Sequence, residues 1–169
     1  MKIKYMVIDV DGVLTDAGIY YDDYGNELKK FSTRDAAGFF ALREAGIEVI
    51  VLTGRECKAT LKRMQDLKVD SVFQGVTNKK EWIVGFAEEN SLSLEEIGYI
   101  GDDLNDLASM QIAGFAACPA DSCQEIIDIA DYISMKNGGQ GVVRDVAEYL
   151  LRNSGNWDKT IKKIYCSGI

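Results

Sequence analysis

The amino-acid sequence predicts an α/β fold, with a doubly wound, Rossmann-like parallel sheet and helices on both of its faces. Two observations support this prediction. Short apolar runs alternate with helical patterns along most of the 169 residues, and 47% of the residues are hydrophobic, enough for one sizeable core. Alternation of this kind produces βαβ units, whose crossover helices cover both faces of a parallel sheet.

The predicted elements follow one another in a regular order. The strand segments are YMVIDV, IEVIVLTG, VDSVFQG, EIGYIGDD, FAACPA and ADYIS. The helical segments are DAAGFFALREAG, ECKATLKRMQDL, NKKEWIVGFAEEN, NDLASMQIAG, a stretch near residues 122–129 and another near 142–151. The first two strand segments are almost wholly apolar, which is typical of strands that are buried on both faces.

One segment departs from the alternation. Residues 18–31, GIYYDDYGNELKKF, place a turn signal at residues 23–26 between two β-prone runs, which predicts an inserted β-hairpin. No other segment is long enough for a cap domain. We therefore expect one domain over residues 1–152 and a tail over residues 153–169, which could be a final amphipathic helix or a contact with a partner.

Composition and charge exclude several classes of function. The chain contains no histidine, which excludes a Ser-His-Asp or Cys-His nucleophile and histidine metal ligands. Its net charge of −8 disfavours nucleic-acid binding through a basic surface. The first residues lack the pattern of a signal peptide, and no apolar run has membrane-spanning length, so we expect a cytoplasmic protein without membrane association.

Polar residues follow the carboxyl ends of four successive strands, where the ligand crevice of a doubly wound sheet lies. They are Asp9 and Asp11, then Thr53, Gly54 and Arg55, then Lys79, and finally Asp102 and Asp103. Carboxylates, a hydroxyl and two cations without histidine favour Mg²⁺-assisted phosphoryl transfer through an aspartate nucleophile. A calcium loop is excluded, because the positions that would supply further oxygen ligands after Asp9 are not acidic.

Each of these side chains has a separate expected role. Asp9 is the candidate nucleophile, and Asp11 is the candidate acid and base for the leaving alkoxide and the attacking water. Thr53 would donate to a phosphoryl oxygen, and Lys79 would offset the negative charge that grows there. We expect Asp9, Asp11 and Asp102 to hold the metal. Asp103 would lie nearby or hold Lys79, while Asp106 is interpreted as structural.

The motifs DVDGVLTD (residues 9–16), LTGR (52–55), Lys79 and GDDLND (101–106) resemble those of the haloacid dehalogenase superfamily of phosphatases. The longer segments DGVLTDAGIYYDDYGNELKKFSTRDAAG, QGVTNKKE and GGQGVVRDV are similar to its small, capless branch, which acts on phosphorylated sugar acids. This resemblance implies Mg²⁺ as cofactor and a homotetramer in which the hairpins associate and each subunit helps to close a neighbour's site.

The resemblance leaves the substrate open between two sugar acids. It favours 3-deoxy-D-manno-octulosonate 8-phosphate, because Arg55 directly follows Thr53 and Gly54; Thr53, Gly54, Arg55 and Lys79 are then the candidate substrate-binding residues. The alternatives are a nonulosonate 9-phosphate and a non-catalytic, oligomerising domain associated with an acylneuraminate cytidylyltransferase. The segment Gly138–Gly141 is either a flexible loop before a helix or a glycine-rich segment that approaches the substrate, in its own or in a neighbouring subunit.

Overall fold

The computed structural model describes residues 2–166. The strands are β1 (Tyr5–Ile8), β2 (Tyr20–Tyr21), β3 (Glu27–Leu28), β4 (Glu48–Leu52), β5 (Val72–Phe73), β6 (Ile97–Ile100), β7 (Phe115–Cys118) and β8 (Tyr132–Ile133). The helices are α1 (Asp35–Glu44), α2 (Lys58–Asp66), α3 (Lys79–Glu89), α4 (Leu104–Met110), α5 (Gln124–Ile127), α6 (Val142–Asn153) and α7 (Trp157–Tyr165), with a 3₁₀ turn at Leu94–Glu96.

Six strands form one parallel sheet in the order β5-β4-β1-β6-β7-β8. From β1 the chain builds outward through β4 to β5, and it then returns to the other side of β1 and continues from β6 to β8. The direction of winding therefore reverses between β1 and β6. This confirms the doubly wound prediction and places a crevice at the carboxyl ends of these two strands.

Both faces of β1 are buried, as its apolar sequence predicts. Met6 and Ile8 pack on one face with Phe39 of α1, whereas Val7 packs on the opposite face with Ile83 of α3, and all five side chains are fully buried. Side chains of a strand alternate between its faces, so an unbroken apolar run suits a strand between two helical layers. The loop that follows β1 therefore begins at a point that the surrounding core holds in place.

The hairpin is present: β2 and β3 pair antiparallel, with Tyr20 opposite Leu28. Its turn is closed by Asp22, whose Oδ1 accepts hydrogen bonds from the backbone amides of Tyr24 and Asn26 at 2.9 and 2.8 Å. An aspartate that bonds the backbone two residues ahead is a common way to close such a turn. The turn chemistry thus accounts for a strand pair that interrupts the βαβ series.

The C-terminal segment contains helix α7, which packs on α1 and α6 of the same chain. Trp157 is buried in a small cluster with Ala41 and Leu151. Of the two interpretations left open for this segment, the amphipathic helix is observed. The boundary expected at residue 152 lies one residue before α6 ends, and the division into domain and tail stays a prediction. Within residues 2–166, no helix combines the length and the apolar character needed to span a bilayer.

Candidate active site

The loop after β1 brings two carboxylates and a glycine into the crevice. Asp9 is 3% exposed, and its amide donates to the carbonyl of Ile100 at the end of β6 over 3.0 Å. Asp11 is partly exposed. Gly12 has φ +87°, and a Cβ built on it would lie 1.9 Å from a carboxylate oxygen of Asp102. Only glycine lets this backbone approach Asp102 so closely.

Lys79 lies behind Asp9, at the first residue of α3. The preceding Asn78 caps that helix by accepting a hydrogen bond from the amide of Glu81 at 3.2 Å. The Nζ of Lys79 is 2.9 Å from Oδ1 of Asp9 and 2.7 Å from Oδ1 of Asp106, and its side chain is 1% exposed. A buried ammonium group held by two carboxylates is a fixed positive charge beside the candidate nucleophile.

Asp106 contributes more than the structural role expected of it. Its Oδ1 also accepts a hydrogen bond from the hydroxyl of Tyr99 at 2.7 Å, and its Oδ2 accepts one from the amide of Asp102 at 3.1 Å. The suggestion that Asp103 holds Lys79 is wrong, because the Asp103 carboxylate caps α4 through the amide of Leu104 at 2.8 Å. Asp106 therefore fixes Lys79 and the backbone of Asp102 together.

The pKa values of this cluster reflect its burial. Burial raises the pKa of the Asp9 carboxyl to about 7, and the carboxylate of Asp106 adds to the rise while Lys79 opposes it. Burial lowers the pKa of Lys79, but the charges of Asp9 and Asp106 outweigh that effect, so the pKa lies above its usual value. Lys79 consequently stays protonated beside Asp9.

The carboxylates in the crevice fit a divalent cation. Among residues 2–166, Asp9, Asp102 and Asp106 each offer an oxygen within 4.8 Å of the others. Oδ1 of Asp102 is buried and has no hydrogen-bond partner within that part of the chain, and burial together with Asp9 and Asp106 raises the pKa of Asp102 to about 8. An all-oxygen site suits Mg²⁺, whose charge would offset this repulsion.

The pocket in front of the cluster has a volume of about 380 Å³ and is lined by Asp9, Asp11, Ala17, Thr53, Gly54, Arg55, Asp102, Asp103 and Asn105. The structure therefore brings together the predicted residues from the ends of β1, β4 and β6. Lys79 contacts Asp9 from behind. Thr53 is buried at the end of β4, and its Oγ1 accepts a hydrogen bond from the amide of Arg55 at 3.3 Å.

Two residues of the hairpin also reach the site, and the sequence analysis missed both. Nη2 of Arg55 is 2.7 Å from a carboxylate oxygen of Glu27, and Nζ of Lys29 is 2.8 Å from the other. Lys29 also forms an ion pair with Asp11, and its side chain is 1% exposed. Glu27 begins β3 and Lys29 follows its last residue, two positions on, so the period-2 pattern of the β-prone run could have identified a shared face.

This network affects two of the predicted site residues. The guanidinium of Arg55 lowers the pKa of Glu27 to about 2, and the ion pair offsets the charge of Arg55. The carboxylate of Asp11 faces Lys29 of the hairpin, whereas the cluster suited to a cation consists of Asp9, Asp102 and Asp106. The expectation that Asp11 is also a metal ligand stays a prediction.

Comparisons with known proteins agree with this geometry. Residues 71–145 match the family model of haloacid dehalogenase-like hydrolases. The chain is 36% identical over 158 residues to 3-deoxy-D-manno-octulosonate 8-phosphate phosphatase KdsC of Escherichia coli (strain K12). The matched residues cover 94% of this chain and 84% of that relative.

Two solved structures are similar over nearly the whole chain. The 3-deoxy-D-manno-octulosonate 8-phosphate phosphatase from Moraxella catarrhalis, in complex with magnesium ion, phosphate ion and a KDO molecule, has a TM-score of 0.92 and 36% identity, covering 96% of this chain and 94% of that chain. The cobalt-bound phosphatase from Haemophilus influenzae has a TM-score of 0.85 and 32% identity, covering 91% and 90%. The chain belongs to the haloacid dehalogenase-like hydrolases, in the KdsC family of Mg²⁺-dependent phosphomonoesterases.

Proposed function

We propose that the protein hydrolyses 3-deoxy-D-manno-octulosonate 8-phosphate to the free sugar acid and inorganic phosphate. The observation that carries this proposal is the buried arrangement of Asp9, Lys79 and Asp106 beside Asp102, at the edge of the sheet where winding reverses. Relatives that cover most of the chain are phosphatases of this ester. Similarity in both sequence and architecture supports the same substrate class.

The positions of the side chains support the following role for each of them in this proposal. The carboxylate of Asp9 attacks phosphorus, which forms an aspartyl-phosphate and breaks the bond to the sugar oxygen. Asp11 gives a proton to the departing alkoxide and later takes one from the water that hydrolyses the intermediate. Lys79, 2.9 Å from Asp9, keeps that carboxylate in place and offsets charge on the phosphoryl group.

Thr53 and the metal complete this proposed site. The hydroxyl of Thr53 donates to a phosphoryl oxygen from the end of β4. Mg²⁺, when held by Asp9 and Asp102, supplies the positive charge that lets a phosphate dianion approach the carboxylates. Asp106 hydrogen-bonds the amide of Asp102 at 3.1 Å, so it keeps that ligand in position.

Arg55 is the proposed contact for the carboxylate of the sugar acid. It lines the pocket next to Gly54, and its side chain is 42% exposed, so an anion can reach it. Glu27 already occupies one side of the guanidinium, and a sugar carboxylate would share or replace that ion pair. The nonulosonate and non-catalytic alternatives are not favoured, because the similar proteins act on the eight-carbon ester.

The proposal is tested by turnover of matched substrates. We expect hydrolysis of 3-deoxy-D-manno-octulosonate 8-phosphate to have a kcat/KM at least about 10-fold above that of a nonulosonate 9-phosphate or p-nitrophenyl phosphate. Chelation of Mg²⁺ should stop turnover, and Asp9→Asn should abolish it while circular dichroism stays unchanged. Equal rates on all three esters would contradict the proposed substrate, and activity of Asp9→Asn would contradict the nucleophile.

The homotetramer is part of the same proposal. The hairpin region carries four large side chains, Ile19, Tyr20, Tyr21 and Leu28, which are 48% to 63% exposed. A cluster of large apolar side chains on a two-stranded hairpin is typical of an interaction surface, and association with the hairpins of other copies would cover it. The cytoplasmic location stays a prediction, which fractionation of cells would test.

A further inference from the structure

The glycine-rich segment 138–141 lies against the loop after β1 of its own chain, residues 9–16, which carries Asp9 and Asp11 and is called the catalytic loop below. The amide of Gly139 donates to the carbonyl of Val13 at 3.0 Å. A Cβ built on Gly138 would lie 2.0 Å from the carbonyl oxygen of Gly12 and 2.8 Å from that of Thr15. The segment therefore contacts the backbone that directly follows Asp11.

The two glycines are required for different reasons. At Gly138 the backbone of the catalytic loop occupies the space of any side chain. At Gly139 the backbone has φ +68°, and a Cβ would in addition lie 2.8 Å from the amide nitrogen of Asp16. Backbone thus packs on backbone here, and such contacts leave little freedom for either segment to shift.

The segment is itself held by the loop that follows β7. Oδ1 of Asp121 accepts a hydrogen bond from the amide of Gly138 at 2.9 Å. Next to this contact, the carbonyl of Lys136 accepts a hydrogen bond from the amide of Ala120 at 2.9 Å. Two bonds between these loops make a fixed support, so the position of the catalytic loop depends on residues more than a hundred positions away.

We propose that Gly138 and Gly139 form a rigid backbone support that positions the catalytic loop, and that Asp121 is the positioning residue that holds this support in place. The loop carries Asp11 and Gly12, and Gly12 lies directly beside Asp102. Small displacements of catalytic groups reduce turnover strongly, by about 100-fold for about 1 Å. This inference rests on the proposed function for the roles of Asp9 and Asp11.

The experiment compares two glycine-to-alanine variants with the same backbone strain. Gly139 has φ +68° and Gly155 has φ +69°, but a Cβ on Gly155 meets no atom within 4 Å. We expect Gly139→Ala to lower kcat on the sugar-acid phosphate at least about 10-fold with KM within about 2-fold, and Gly155→Ala to keep kcat within about 2-fold. Equal kcat values for the two variants would overturn the proposal.

Asp121 provides a second test that does not depend on folding of a strained variant, because this residue is exposed. Asp121→Ala should lower kcat about 2- to 10-fold, and Asp121→Asn, which keeps an oxygen acceptor, should restore it. Failure of the asparagine to restore kcat would overturn the role of this hydrogen bond.

A measurement without substrate separates the inference from the proposed function. In metal-free protein, amide hydrogen exchange of a peptide covering residues 9–16 should be at least about 5-fold faster in Asp121→Ala than in wild type, with Asp121→Asn close to wild type. Unchanged exchange would contradict the positioning role even if the enzyme is active. If wild type shows no turnover but exchange is faster in Asp121→Ala than in wild type, only the proposed function is contradicted.

Discussion

Asp106 shows how one side chain can organise the whole site. Its two oxygens accept hydrogen bonds from Lys79, Tyr99 and the amide of Asp102. Gly101 makes this possible, because a Cβ at that position would lie 2.6 Å from the side chain of Asp106. A carboxylate with several charged or polar donors is held rigidly, and so are the groups that donate to it.

We predict that Asp106→Asn lowers kcat about 100-fold and the free energy of unfolding by about 3 kcal/mol. The amide leaves Lys79 with only one carboxylate partner, and its NH₂ group faces the backbone amide of Asp102 or the ammonium group. Steady-state kinetics and urea unfolding check this. Asp66→Asn is the control, since Asp66 is exposed at the end of α2, where it pairs with Lys62; equal effects of the two substitutions would contradict the role assigned to Asp106.

Lys29 carries the second residue-scale prediction. We expect Lys29→Met to lower kcat at least about 10-fold, because Asp11 loses the buried cation that holds its carboxylate. Lys30→Met is the matched control: the side chain of Lys30 is 72% exposed, and its ion pair with Asp16 is long, at 3.5 Å. Steady-state kinetics compare the two variants, and comparable kcat values would show that Asp11 does not depend on Lys29.

At the scale of elements, the close contact between α1 and α6 depends on Asp35 and Gly38. Oδ1 of Asp35 accepts hydrogen bonds from the amides of Val143 and Arg144 at 2.9 and 3.3 Å, at the first turn of α6. A Cβ on Gly38 would lie 2.6 Å from the carbonyl oxygen of Val143. One helix thus caps the other, and the glycine in DAAGFF, inside a helical segment, has a packing reason.

The capping carboxylate makes stability depend on pH. Burial raises the pKa of Asp35 from 3.8 to about 6, against the opposing hydrogen bonds from α6. As pH rises from 3.8 to about 6, the unfolded chain loses this proton first, so the folded state is progressively destabilised relative to it. The loss is complete above the folded pKa and amounts to about 2–3 kcal/mol.

We therefore predict that Asp35→Asn removes this part of the pH dependence. As pH rises from about 4 to about 7, wild type should lose about 2–3 kcal/mol of unfolding free energy relative to Asp35→Asn. Urea unfolding across this range measures it. Asp23→Asn, in the exposed turn of the hairpin, is the control; a difference curve for Asp35 as flat as that of Asp23 would contradict the prediction.

At the scale of the whole molecule, the proposed tetramer gives a prediction about the hairpin. Tyr20→Ser combined with Leu28→Ser removes two apolar side chains that face each other across β2 and β3 and are 48% and 51% exposed. We expect light scattering to give a tetramer for wild type and smaller species for this variant. Leu61→Ser, on an exposed position of α2, is the control. A monomeric wild type would contradict the proposed assembly.

Several features of this protein follow from the order of its residues alone. The alternation of apolar runs and helical patterns was enough for the fold class, because strands buried on both faces require helices on both sides. The set of polar side chains in the crevice could also be predicted from the sequence. Residues that end parallel strands meet at one edge of the sheet, so Asp9, Thr53 and Asp102 could be placed together without coordinates.

Contacts between distant segments were decided only by the tertiary structure. Asp106 rather than Asp103 holds Lys79, because the turn of α4 directs one carboxylate inward and leaves the other to cap the helix. The ion pair of Lys29 with Asp11 and the packing of Gly138 on Gly12 join residues that no local pattern relates. Local patterns depend on the period of one element, whereas these contacts depend on how loops from separate strands are packed against each other.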